Sequence, residues 1–84
     1  MKIEVMENKS FEPYIKYIID LLKDNAKKAK LEADNPKEGE ADYNTGYLMA
    51  YHEVISTLKN QAFLFDLEQE DISLSDIDPD RDLV

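Results

Sequence analysis

Along residues 11–33, Phe11, Ile15, Ile18, Leu22, Ala26, Ala29 and Ala33 recur three, four or seven positions apart, which is one face of an α-helix. Ser10 supplies an N-cap hydroxyl, Glu12 a favourable charge and Pro13 a residue that suits only a first turn, so the pattern predicts a helix starting near residue 11. Tyr14, Tyr17 and Leu21 widen its apolar arc to more than half the circumference in the N-terminal half. Towards residue 33 the arc narrows to alanines flanked by Lys23, Lys27, Lys28 and Lys30, which read as an ordinary solvated face with Asp24 and Lys28 as an i,i+4 pair.

A second helix is predicted over residues 36–65. Asn35 as N-cap, Pro36 at the first helical position and Glu38 three after the cap form a capping-box pattern. Gly39 weakens those first turns and leaves open a start near Glu40 or Asp42, with 34–40 as a loop. Tyr43, Tyr47, Tyr51, Val54, Ile55, Leu58, Ala62 and Phe65 then share a face, with Leu48 at its edge. The short connection makes the pair an antiparallel hairpin. Small residues at Gly46 and Ala50 are expected to meet the strip Ala26, Ala29 and Ala33 where the helices come close.

Outside the helices, residues 1–9 alternate weakly through Met1, Ile3 and Val5 and read as a loose N-terminal arm or a short strand. Residues 66–84 interleave acids with Leu67, Ile72, Leu74, Ile77, Leu83 and Val84. A purely solvating segment has no use for those aliphatics, so Leu67–Ile77 is expected to fold back over the hairpin, with the last turn loose. Fold class is therefore all-α, one hairpin domain over residues 1–84.

Eighty-four residues, 43% of them hydrophobic, are enough for one small core. Net charge is −9, and within 66–84 eight acids face only Arg81, a field that repels phosphates and attracts basic surfaces. Direct nucleic-acid binding is thereby disfavoured. There is no cysteine, and neither a signal-like opening nor a membrane-length apolar run, so a non-secreted, non-membrane, cytoplasmic protein is expected.

Catalytic patterns are weak. Asp76, Asp78, Asp80 and Asp82 repeat every second residue as in the first half of a calcium loop, but Arg81 occupies the position that needs glycine. His52, the one histidine, lies on the polar side of the second helix and lacks a carboxylate three residues before it. Glu4 with Glu7 and Glu68 with Asp71 have the spacing of helical magnesium sites, which 19 acidic residues produce readily by chance. No cofactor, metal or catalytic residue is assigned.

The apolar surface of the two helices exceeds what one seam hides. The expectation is a homodimer forming a four-helix bundle, with Phe11, Tyr14, Tyr17, Ile18, Leu21, Tyr47 and Tyr51 at the dimer or partner interface. The corresponding function is a non-enzymatic protein-binding module, an inhibitor or immunity-type protein that presents Asp76, Asp78, Asp80 and Asp82 to a basic target. The competing readings are a structural or adaptor subunit of a larger assembly and, behind it, a metal-dependent phosphohydrolase.

Overall fold

The computed structural model describes residues 3–84, with side chains from residue 11 onward. All regular structure among them is helical: α1, Ile3–Asp34; α2, Ala41–Leu64; a 3-10 turn, Gln69–Ile72; and the one-turn α3, Pro79–Asp82. Helices α1 and α2 form an antiparallel hairpin, and the chain from residue 66 onward folds back along one side of it. The molecule is a rod of 53 × 21 × 17 Å.

Helix α1 starts well before Ser10, so the segment from Ile3 is neither a strand nor an arm detached from the helix; Met1 and Lys2 lie outside the described residues. Pro13 sits inside the helix, where it has no N–H to offer the carbonyl four residues earlier. It is exposed, and the helix continues through it to Asp34.

The capping box at Asn35 does not form. Asn35 closes α1 instead, its backbone N–H and its side-chain Nδ2 both donating to the Leu31 carbonyl at 3.1 Å. Residues 35–40 are a loop, with Glu40 N–H bonded to the Lys37 carbonyl at 3.0 Å and Gly39 at φ +81° in the third position of that turn. Only glycine takes that conformation without strain, and its left-handed φ makes a start at Pro36 impossible. Helix α2 therefore begins at Ala41, the later of the two starts the sequence allows. Its C-terminus is a Schellman motif: Leu67 N–H bonds the Ala62 carbonyl and Asp66 N–H the Phe63 carbonyl, with Asp66 at φ 58°.

The seam is narrower and differently phased than the wheel predicts. On α1 it runs through Ile15, Ile19, Leu22, Ala26, Ala29 and Ala33, and on α2 through Asn44, Leu48, Tyr51, Ile55, Leu58 and Ala62. Both series alternate four and three, the spacing of knobs-into-holes packing. Phe11, Tyr43, Val54 and Phe65, counted on the buried faces from sequence, are exposed, as are Met49 and Phe63. Gly46 and Ala50 also face away from α1: nothing lies within 4 Å of where a Gly46 Cβ would stand. The alanine strip meets Asn44 and Leu48 instead. Asn44 is buried, and its Nδ2 donates to the Glu32 carbonyl at 3.2 Å, tying the start of α2 to the end of α1.

Leu74, Ile77 and Leu83 from the returning segment are at most 2% exposed and join Ile55 as the most deeply buried side chains. The last turn is thus part of the core, because Leu83 is anchored there, while Leu67 stays half exposed. Truncating Leu74 to alanine is expected to lower the stability of the whole helical unit by about 2–4 kcal/mol, read by urea unfolding followed by helix ellipticity. An unchanged midpoint would mean that the segment is tethered to the hairpin and does not support it.

Candidate functional site

A hairpin of two helices has two open flanks. Here they differ. One side of the seam carries Lys23 and Lys30 on α1 and His52 and Lys59 on α2, and the C-terminal segment lies along it. The segment is mostly irregular, so many of its carbonyls have no backbone partner. Three lysines supply donors: the Nζ of Lys23 bonds the Ser73 carbonyl at 2.6 Å, that of Lys59 the Ile77 carbonyl and that of Lys30 the Val84 carbonyl. Lys23 is the most enclosed of them, its side chain 9% exposed, and also pairs with Asp76 at 2.6 Å. The lysine row of α1 is therefore not a uniform solvated face: Lys23 is buried and Lys30 half-buried, whereas Lys27 and Lys28 are exposed.

The acidic row also serves the fold. Asp78 caps α3 by accepting from the Asp80 N–H at 3.1 Å, and the Asp78 N–H donates to Asp82 Oδ2 at 2.9 Å. Arg81 forks onto Asp82 at 2.7 and 2.8 Å, and Asp80 lies 2.9 Å from His52 Nε2. His52 is half-buried beneath this contact rather than free on the polar side of α2. The Lys23 hydrogen bond holds the Asp76 carboxyl below its usual range, and the Arg81 hydrogen bonds do the same for Asp82. Among the described residues, no group of three or more His, Cys, Asp or Glu could hold a metal ion, and no helix is long and apolar enough to cross a membrane.

The opposite flank has no cover. Phe11, Tyr14, Ile18 and Leu21 line it from α1, at three- and four-residue spacing beside the seam; Tyr43, Tyr47, Val54, Leu58 and Phe65 line it from α2. Tyr43 stacks on Tyr47 with ring centroids 5.9 Å apart, and Tyr47 meets the edge of Tyr51 at 5.3 Å. At the open end the helices and the start of the returning segment gape around a groove of about 680 Å³, lined by Phe11, Ile15, Ile19, Leu58, Ala62 and Phe65 of the helices, by Leu67, Asp71 and Ile72 of the segment, and by the polar Glu12, Thr57 and Gln61. Near the turn a smaller cleft of about 300 Å³ lies between Lys28, Glu32, Tyr43 and Tyr47.

Five of the residues predicted for an interface thus share this flank: Phe11, Tyr14, Ile18, Leu21 and Tyr47. Tyr17 is exposed but stands round the helix from them, and Tyr51 packs against the core. Sequence reading missed Lys23, Lys30 and Lys59 as clamps. The available signal was the seven-residue spacing of Lys23 and Lys30 beside the seam. Comparison with protein-family models, with curated proteins and with solved structures finds no match to this chain.

The Asp76–Lys23 contact has a defined pH dependence. Because the folded carboxyl titrates below its ordinary value near 3.9, its contribution is fully present above about pH 4 and disappears as pH falls through the lower folded value. Asp76→Asn is expected to cost roughly 0.5–1 kcal/mol at pH 7, the scale of an exposed pair, with the difference from the parent shrinking in thermal melts as pH falls below about 4. Lys23→Met, which also strips the Ser73 carbonyl of its donor, should cost about 1–3 kcal/mol at both pH values.

Proposed function

We propose that this chain is a non-catalytic protein-binding module that works as a homodimer, two hairpins joining flank to flank in a four-helix bundle. The observation that carries the reading is the contrast between flanks: one is sealed by the chain's own C-terminal segment, and the other exposes Phe11, Tyr14, Ile18 and Leu21 beside Tyr43, Tyr47, Val54 and Phe65. With aromatic side chains worth about 150–250 Å² apiece, half-exposed residues over such a flank leave roughly 700–800 Å² of mainly apolar surface. That exceeds the roughly 300–600 Å² patch of a typical monomer and matches the 800 Å² or so that each partner contributes to a standard interface.

In such a dimer the two C-terminal segments lie on the outer faces. Asp80 keeps 87% of its side-chain exposure and Asp76 65%, so both outer faces carry an acidic field towards solvent. This supports a second role for the same surface, recruitment of a basic partner protein, with Asp80 the carboxylate least committed to the fold. Charge of this kind speeds encounter and is screened by salt.

Sedimentation at tens of micromolar is expected to give twice the chain mass. Ile18→Glu combined with Val54→Glu should shift the protein to monomer with its helix content kept, while Tyr17→Glu, off the flank, leaves the dimer intact. A parent protein that sediments as a monomer removes the reading.

A further inference from the structure

The exposed flank is not uniform along its length. Its open-end half is apolar, with Phe11, Ile18 and Leu21 on α1 and Val54, Leu58 and Phe65 on α2. Its turn-end half is mixed: Asn25, Lys28 and Glu32 face Tyr43 and Tyr47. The levels of the two helices are pinned at both ends, by Asn44 bonded to the Glu32 carbonyl and by Phe11 and Phe65 sharing one groove. Between them a common rise of about 1.5 Å per residue puts Ile18 level with Leu58 and Leu21 level with Val54.

Two twofold arrangements can bring such flanks together. With the turns at opposite ends, each α1 lies on the partner's α1, and Phe11 and Ile18 fall over the charged and polar positions Glu32 and Asn25. That strips water from Glu32 and from Lys28 one turn away against phenyl and isoleucine side chains, which disfavours this arrangement. With the turns at the same end, each α1 lies on the partner's α2. Phe11 then meets Phe65, Ile18 meets Leu58 and Leu21 meets Val54, while Lys28 and Glu32 keep company with tyrosine hydroxyls and solvent.

The geometry points to the same-end arrangement, in which Phe11 and Phe65 of the partner subunit enter the open-end groove and close it. This rests on the homodimer proposed above. The occupant is a second copy rather than a basic protein because the exposed apolar area matches one partner's share of a standard interface, and the acids of residues 76–82 lie across the rod on the other flank, leaving Glu12 and Asp71 as the acids at the open-end groove. The rod is 17–21 Å thick, about two screening lengths at physiological salt, so the acidic faces of two chains at −9 each do not oppose this contact. The groove supplies the remaining argument. About 680 Å³ of space walled mainly by isoleucine, leucine and phenylalanine, with Glu12 and Asp71 among its lining, stays open in one chain, and same-end docking delivers to it the two rim phenylalanines.

The chain has no cysteine, so one label site can be introduced cleanly at Glu38, exposed in the loop between the helices. Double electron–electron resonance on spin-labelled Glu38→Cys, with Lys37→Cys as a second site and ellipticity as the check on folding, reads the separation of the two turns. Same-end docking predicts a distance of about 15–25 Å, set by helix separations of 8–10 Å plus the label tethers. Opposite-end docking predicts about 40–50 Å, the length of the paired helices. The long distance would overturn this arrangement while leaving the dimer standing. Absence of dipolar modulation, with monomeric sedimentation, would overturn both and leave the flank to a different protein.

Discussion

Enclosure of Ile55 is the constraint from which the rest of the structure follows. Two helices touching along a line cover one stripe of each other, and Ile55, level with Leu21 and Leu22, has α1 on one side only. A stripe that thin cannot exclude water from an isoleucine, yet Ile55 is fully buried. It is sealed because Leu74, Ile77 and Leu83 arrive from the C-terminal segment and lie beside it. Residues of both helices and of the returning segment share one buried cluster, so the hairpin and its strap form one unit.

An irregular strap on an apolar surface brings unpaired carbonyls with it. Strands solve this with a ladder and helices with internal bonds; here lysine ammonium groups reaching from α1 and α2 do so at Ser73, Ile77 and Val84. Lysine suits the task because its long stem covers apolar surface while its head holds several acceptors at once. Asp76 of the strap balances the Lys23 ammonium, while Asp34 at the end of α1 balances that of Lys30. The acidic composition of the segment is in part a consequence of how it is fastened.

Fastening the strap to one flank decides what the other flank is for. Its open-end half is largely apolar and its turn-end half mixed, and Phe11, Tyr14, Leu21, Tyr43, Tyr47, Val54 and Phe65 there are exposed. Aromatic rings dominate there, large contact surfaces with few rotamers to freeze, as interfaces favour. The acids of residues 76–82 lie on the strapped side.

Much of this was legible in residue spacing. Recurrence at three and four positions required two helices, Gly39 marked the turn between them, and aliphatics among acids in 66–84 required contact with something apolar. The phase of the seam was not legible, because an arc of more than half a helix contains two adjacent stripes and periodicity cannot rank them: Ile18 and Ile19 fit equally well. Only packing chose Ile19 for the core and left Ile18 half-buried at the edge of the flank. Spacing placed Lys23 and Lys30 beside the seam but could not name the partners of Lys23, Lys30 and Lys59, which are backbone carbonyls 18 to 54 residues away, and a carbonyl has no letter in the sequence. Local pattern thus determined which elements exist and that apolar surface would be in excess; the path of the strap, a tertiary matter of shape and carbonyl satisfaction, decided which surface that is.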